Sequence, residues 1–123
     1  LRKSYKKKII LIDRFTDSTI AYQHYGMGVD LDILKKINNY LLKSFKVDFT
    51  FLHTVSEKNL KLRLNKRKKL NRYDKFKMNF YSKVQRGFLK IAKNKKNYKI
   101  INSNKSIEVN QIEIIKKIEK LIK

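Results

Sequence analysis

Apolar and polar positions along this chain follow two alternating periods. Ile9-Ile10-Leu11-Ile12 is a continuous, mostly β-branched run that predicts a buried strand of the parallel type. The period then turns helical. Asp30 stands where an N-cap should, and Leu31, Leu34, Ile37, Leu41 and Leu42 share one face of a helix predicted to run to about Phe45. Asp48-Phe49-Thr50-Phe51-Leu52 predicts a second strand, and Ser56 caps a helix carrying Leu60 and Leu64, with Glu57 near its positive end. A long helix is predicted from about Lys75 to Asn94, with Phe76, Phe80, Val84, Phe88 and Ile91 on its apolar side. Tyr98-Lys99-Ile100-Ile101 predicts a third strand. Ser106 caps a last helix with Ile107, Ile112, Ile115, Ile118 and Ile122 on or near its stripe. This alternation is that of βαβ units around a parallel sheet, an α/β fold. No internal repeat, proline or Gly-rich linker marks a boundary.

Composition narrows the class. A chain of 123 residues with 41% hydrophobic content builds one modest core. Lys and Arg total 32 against 10 acids, a formal net charge of +22, and such a surplus points to polyanionic partners. Most of it is Lys, however, and an A/T-rich coding sequence imposes the same enrichment in Lys, Asn and Ile on any protein. The absence of cysteine excludes disulfides and thiolate metal sites. No apolar run approaches the roughly 18 residues of a membrane span, and Leu1-Arg2-Lys3 begins no signal peptide. A soluble, cytoplasmic protein is expected, or one of an organelle stroma or matrix.

The candidate chemistry concentrates in Ile9 to Gln23. Asp13 and Arg14 follow the apolar run at the point where the strand should end, and ligands of open α/β sheets bind at the carboxyl ends of strands. An acid and an arginine placed there can hold a metal-bound phosphate and a second phosphate oxyanion side by side. The hydroxyl-rich turn Thr16-Asp17-Ser18-Thr19 can hydrogen-bond a small polar ligand. The plain alternatives are a surface ion pair at Asp13-Arg14, a packing role for Tyr22 and a solvated helix end at Lys66-Arg67-Lys68-Lys69. His24 and His53 have no partner at metal-ligand spacing.

Asp13-Arg14-Phe15 and Ser18 through Ala21-Tyr22-Gln23 resemble the Asp-Arg-aromatic motif and following helix of thymidylate kinases. The resemblance extends along nearly all of the chain. His24-Tyr25-Gly26-Met27-Gly28-Val29-Asp30 is similar to that family's Gly-x-Gly-x-Asp turn, and Lys46 to Leu52 resembles its Pro-Asp-Leu-Thr strand, with Val47 in place of proline. Asn59 to Asp74 is similar to the basic lid, Phe80 to Phe88 to the helix after it, and Ile100-Ile101-Asn102 to the last strand. The order of these matches is that of the C-terminal part of a P-loop nucleoside monophosphate kinase. Under this resemblance 1–123 is a single partial domain. Its parts are an acceptor-binding strand and helix at 9–45, a lid at about 57–74, and the C-terminal helices and last strand at 75–123.

The resemblance implies ATP-dependent phosphorylation of dTMP to dTDP, with Mg2+. Arg14 would clamp the acceptor phosphate, and Asp13 would orient Mg2+, its water shell or that phosphate. Ser18 and Thr19 would approach the thymine, Tyr22 would lie against the deoxyribose and disfavour a 2′-hydroxyl, and Gln23 would border the pocket. Arg63, Arg67 and Arg72 would close over the phosphates from the lid. The family is commonly a homodimer. The departures are His53, Asn71 and Asn102 where acids are usual, and Asp74 in place of glutamate. Gly26, Gly28 and Gly87 cannot build a Gly-x-x-x-x-Gly-Lys-Ser/Thr loop, so the chain is expected to be a C-terminal portion or a truncated relative, inactive alone. The competing expectation is a basic, ribosomal-type nucleic-acid-binding protein. From Lys58 to Lys105 the chain has 18 Lys and Arg and one acid, Asp74, with Tyr73, Phe76, Phe80, Tyr81 and Phe88 interleaved.

Overall fold

The computed structural model describes residues 8–67, 69 and 77–123. In chain order the elements are α1 (Thr16–Thr19), a π-helix (Ile20–Gly26), α2 (Leu31–Leu42), β1 (Thr50–Thr54), α3 (Glu57–Asn65), α4 (Met78–Ala92), β2 (Tyr98–Asn102) and α5 (Ile107–Ile122). The chain divides into two compact units, one of Leu1–Asp48 with Lys83–Lys93 and one of Phe49–Ser82 with Asn94–Lys123.

Helix starts follow their caps. The Asp30 carboxylate accepts from the backbone N–H of Ile33 at 2.9 Å. Ser56 Oγ accepts from Asn59 N–H at 3.3 Å, and Ser106 Oγ from Val109 N–H at 3.4 Å. Each satisfies an N–H that has no partner within its helix. In the first turn of α5, hydrogen bonds from its own backbone N–H and from Ser106 hold the Glu108 carboxyl below its ordinary pKa. At the other end of α4, Asn94 takes the left-handed conformation (φ 63°) in which an Asn can close a helix.

In the second unit, β1 and β2 pair in parallel with Thr50 opposite Tyr98 and Thr54 opposite Asn102. Backbone bonds from Thr50 N–H to Asn97 and from Ser103 N–H to Thr54, at 2.9 and 2.8 Å, extend the ladder at both ends. Leu52 and Ile101 are the buried apolar residues of the pair, one on each face of it, and Ile101 is fully buried. In the first unit the core is Ala21, Leu34, Val84 and Ala92.

Ile9–Ile12 is not a strand. Among the described residues the only sheet is the β1–β2 pair, and Ile9, Leu11 and Ile12 are exposed, Leu11 to 81%. An apolar run gives a segment its tendency to extend, but a strand exists only through a ladder partner, and among the described residues none pairs with this one. Helical stripes also shift. On α2, Ile37 and Leu41 are exposed while Leu34 and Asn38 are buried, because the Asn38 amide donates to the Thr16 carbonyl at 3.0 Å. On α5 the buried position is Asn110, whose amide donates to the Asn102 carbonyl at 3.1 Å, and Ile107, Ile112, Ile115 and Ile122 face outward.

Candidate functional site

Asp13 and Arg14 form a bend after the unpaired run and before α1. Arg14 has φ 59°, a left-handed backbone that a side-chain-bearing residue adopts only where its surroundings require it. From there its guanidinium carbon lies 5.1 Å from the centre of the Tyr22 ring. The negative face of an aromatic ring attracts a cation at this range. Two residues eight positions apart, each singled out from sequence, are therefore brought together.

Tyr22 and Gln23 lie in the π-helix, and Ser18 and Thr19 in the α1 turn before it. A π-helix closes i→i+5 bonds instead of i→i+4, a rare geometry often found at functional sites. Its end is tied off tightly. Gly28 N–H donates to the His24 carbonyl at 2.8 Å and Val29 N–H to the Gln23 carbonyl at 2.9 Å, while His24 Nδ1 donates back to Val29 at 2.9 Å. Gly28 has φ 81°, which favours glycine there. Gln23 Oε1 is buried with no hydrogen-bond partner among the described residues, an unusual condition for a polar atom.

The π-helix packs on α4 within the same unit. The Tyr22 ring meets Phe88 edge to face, with centres 6.2 Å apart and planes at 80°. Tyr25 lies directly over Gly87: a Cβ built on that glycine would sit 2.6 Å from Tyr25 Cγ and 2.7 Å from its Cβ. Lys90 Nζ lies 5.4 Å from the centre of the same Tyr25 ring.

Arg63 and Arg67, two of the three arginines expected in a lid, fall in the second unit. Arg63 on α3 donates to the Ser103 carbonyl just past β2. Arg67 follows α3, its N–H bonded to the Leu64 carbonyl at 3.1 Å. Arg72, with Asn71 and Asp74, lies outside the described residues. Beside Arg63 the structure shows a depression of about 220 Å³ at the carboxyl ends of both strands, lined by His53, Arg63, Ser103, Lys105, Asn110 and Gln111 among others. His53 Nδ1 and Ser103 Oγ are 3.1 Å apart, and buried Asn110 Oδ1 has no partner among the described residues. Of this group, Arg63 and His53 were singled out from sequence; Ser103, Lys105, Asn110 and Gln111 were not, and the placement of Asn102 at a strand end was the nearest local signal.

No group of three or more His, Cys, Asp or Glu that could hold a metal occurs among the described residues. No described helix is long and apolar enough to cross a membrane.

The fold matches a crystal structure of thymidylate kinase from Ehrlichia chaffeensis with a TM-score of 0.65 and 30% identity, covering 92% of this chain and 53% of that one. This defines the class: an α/β protein of the P-loop nucleoside monophosphate kinase fold. The thymidylate kinase family pattern matches residues 2–114. The chain belongs to the thymidylate kinase family. Thymidylate kinase of Wolbachia pipientis wMel is 44% identical over 85 residues, which are 69% of this chain and 41% of that protein. That of the Wolbachia of Brugia malayi is 37% identical over 116 residues, 92% of this chain and 55% of the relative. The chain thus spans about half the length of the curated relatives it matches. Nothing in these comparisons supports the nucleic-acid reading, and Phe80, Tyr81 and Phe88 are half-buried instead of presented for base stacking.

Proposed function

We propose that this chain carries the acceptor side of a thymidylate kinase, the part that holds dTMP while ATP donates its γ-phosphoryl group to give dTDP and ADP. The observation that carries the reading is the Arg14 guanidinium held over the Tyr22 ring from a left-handed backbone, inside a chain of this family. Phosphoryl transfer depends on positioning and on neutralising charge, and a planar guanidinium is suited to bidentate contact with phosphate oxygens. Arg14 clamps the 5′-phosphate of dTMP. Tyr22 lies against the deoxyribose, where its ring leaves no room for a 2′-hydroxyl, and Ser18 and Thr19 face the thymine. Gln23, in the same π-helix, borders that pocket.

Arg63, Arg67 and Arg72 supply positive charge to the phosphates from the lid. Mg2+ fits what is present: a hard cation that keeps several waters and shares phosphate oxygens needs only one or two carboxylates, and Asp13 provides one. When bound, the ion neutralises charge on the transferring group. Family membership alone supports a homodimer and a cytoplasmic, stromal or matrix location.

The test is dTMP binding by calorimetry. Arg14→Ala is expected to weaken it at least tenfold, the equivalent of about 1.4 kcal/mol. In a chimera where residues 1–123 replace the matching segment of the Brugia Wolbachia enzyme, dTMP and ATP are expected to give dTDP, and Arg14→Ala to abolish it. Undiminished turnover by the Arg14→Ala chimera would sink the assignment.

A further inference from the structure

The residues of α4 beneath the π-helix are not part of the acceptor site as described, yet three of them touch its two tyrosines. Gly87 lies under Tyr25, Lys90 faces the Tyr25 ring, and Phe88 meets the Tyr22 ring edge to face. Tyr22 in turn carries the Arg14 guanidinium 5.1 Å from its centre. The contacts form a chain: Phe88, Tyr22, Arg14.

Its physical logic lies in what each member leaves free. Arg14 is exposed, and no salt bridge to it is present among the described residues. A long arginine side chain in water samples many rotamers, and each must be given up to present its fork to a phosphate. A ring whose plane is fixed gives the cation one preferred seat. Tyr22 belongs to the π-helix, and its ring reaches across to α4. The edge-to-face contact at 80° fixes the plane of that ring from the side of α4.

We propose that Phe88 is a positioning residue for acceptor binding: it acts through Tyr22 to hold Arg14 ready for the 5′-phosphate. The proposal rests on the reading of Arg14 and Tyr22 as dTMP-binding residues, and its test has one readout that does not. The variants are Phe88→Leu, which keeps apolar bulk without an aromatic edge, and Phe88→Tyr, which restores the edge. Phe88→Ile supplies the same comparison if Phe88→Leu loses a dispersed amide spectrum.

In NMR spectra of the full chain, the Tyr22 ring current shifts the Arg14 δ-protons upfield, and Tyr22→Ala defines its loss. Phe88→Leu is expected to remove at least half of that shift, and Phe88→Tyr to restore it. In calorimetry the ratio of the thymidine to the dTMP dissociation constant reports what the phosphate adds. Phe88→Leu is expected to lower it two- to tenfold, the range of an aromatic pair, and Phe88→Tyr to recover it. An unchanged Arg14 shift in Phe88→Leu overturns the positioning role, whether or not dTMP binds. A shift that collapses and returns as described, in a chain that does not bind dTMP, upholds the positioning and overturns the acceptor reading instead. A lowered ratio that Phe88→Tyr does not restore assigns Phe88 to bulk packing and overturns the proposal.

Discussion

Replacing Gly87 with alanine tests the packing that supports the candidate site. Gly87 lies inside α4, where alanine in place of glycine ordinarily stabilises by about 0.5–1 kcal/mol, because it freezes less backbone entropy. Here the added methyl would meet Tyr25 Cδ2 and Cγ at 2.6 Å and Tyr25 Cβ at 2.7 Å. Carbon atoms in contact prefer about 3.5–4.0 Å, so each of these distances lies on the steep repulsive wall. A swung ring would relieve the first two contacts. The third involves the root of the side chain, so the π-helix and α4 must separate. Overpacking of this kind costs about 1–3 kcal/mol.

Three contacts this short put the overpacking cost in the upper part of that range, about 2–3 kcal/mol, so with the propensity gain subtracted Gly87→Ala is expected to destabilise by about 1–2 kcal/mol. With a urea m-value of about 2 kcal/mol/M for a chain of this size, the midpoint falls by about 0.5–1 M. Circular dichroism at the helical minimum follows the transition. In a Tyr25→Ala background, where only the Cβ contact remains, the same substitution is expected to cost about 1 kcal/mol less. A midpoint equal to or above that of the unaltered chain would refute the close approach of Tyr25 to α4.

Other substitutions probe the second unit. Ser106→Ala removes the cap of α5 and is expected to lower stability by about 1 kcal/mol in urea unfolding. Glu108 has its pKa depressed in the folded state, so its contribution is present above the ordinary carboxylate value of about 4.3 and is lost as pH falls through the folded value. Glu108→Gln is therefore expected to flatten the acid side of the profile of melting temperature against pH, and an unaltered profile would count against the depressed pKa. Asn104 Oδ1 accepts from Ser56 N–H, Ser56 Oγ and Asn59 Nδ2 at 2.9–3.0 Å, joining the start of α3 to the turn after β2. Asn104→Ala is expected to cost about 1–2 kcal/mol, read from the urea midpoint. A change under about 0.3 kcal/mol would show that water replaces these bonds at no loss.

Legibility tracked how far apart in sequence the interacting groups are. Asp30, Ser56 and Ser106 each bond a backbone N–H three residues on, so the cap and its target lie in one short window, and all three helices start where those residues predict. The β1 and β2 segments were likewise legible from their β-branched and aromatic content, with β1 displaced by two residues. Ile9–Ile12 was misread because apolar content cannot specify a ladder partner. The stripes of α2 and α5 were misread because Asn38 and Asn110 are buried by bonds to the Thr16 and Asn102 carbonyls, which hydrophobic periodicity does not register.

Sequence by itself therefore determined the alternation of elements, the capped helix starts, the family pattern and the residues Asp13, Arg14, Ser18, Thr19, Tyr22 and Gln23 as a candidate group. All of these are properties of residues close in the chain. Only the tertiary structure decided that Arg14 turns back over Tyr22, that Phe88 and Gly87 lie beneath the π-helix, and that Asn110 is buried beside a depression at the strand ends. Apart from Arg14 and Tyr22, eight positions apart, those are contacts between segments distant in sequence. The backbone path between them, with its left-handed residue at Arg14 and its wide helical turn, is set by packing and leaves no local mark on residue order.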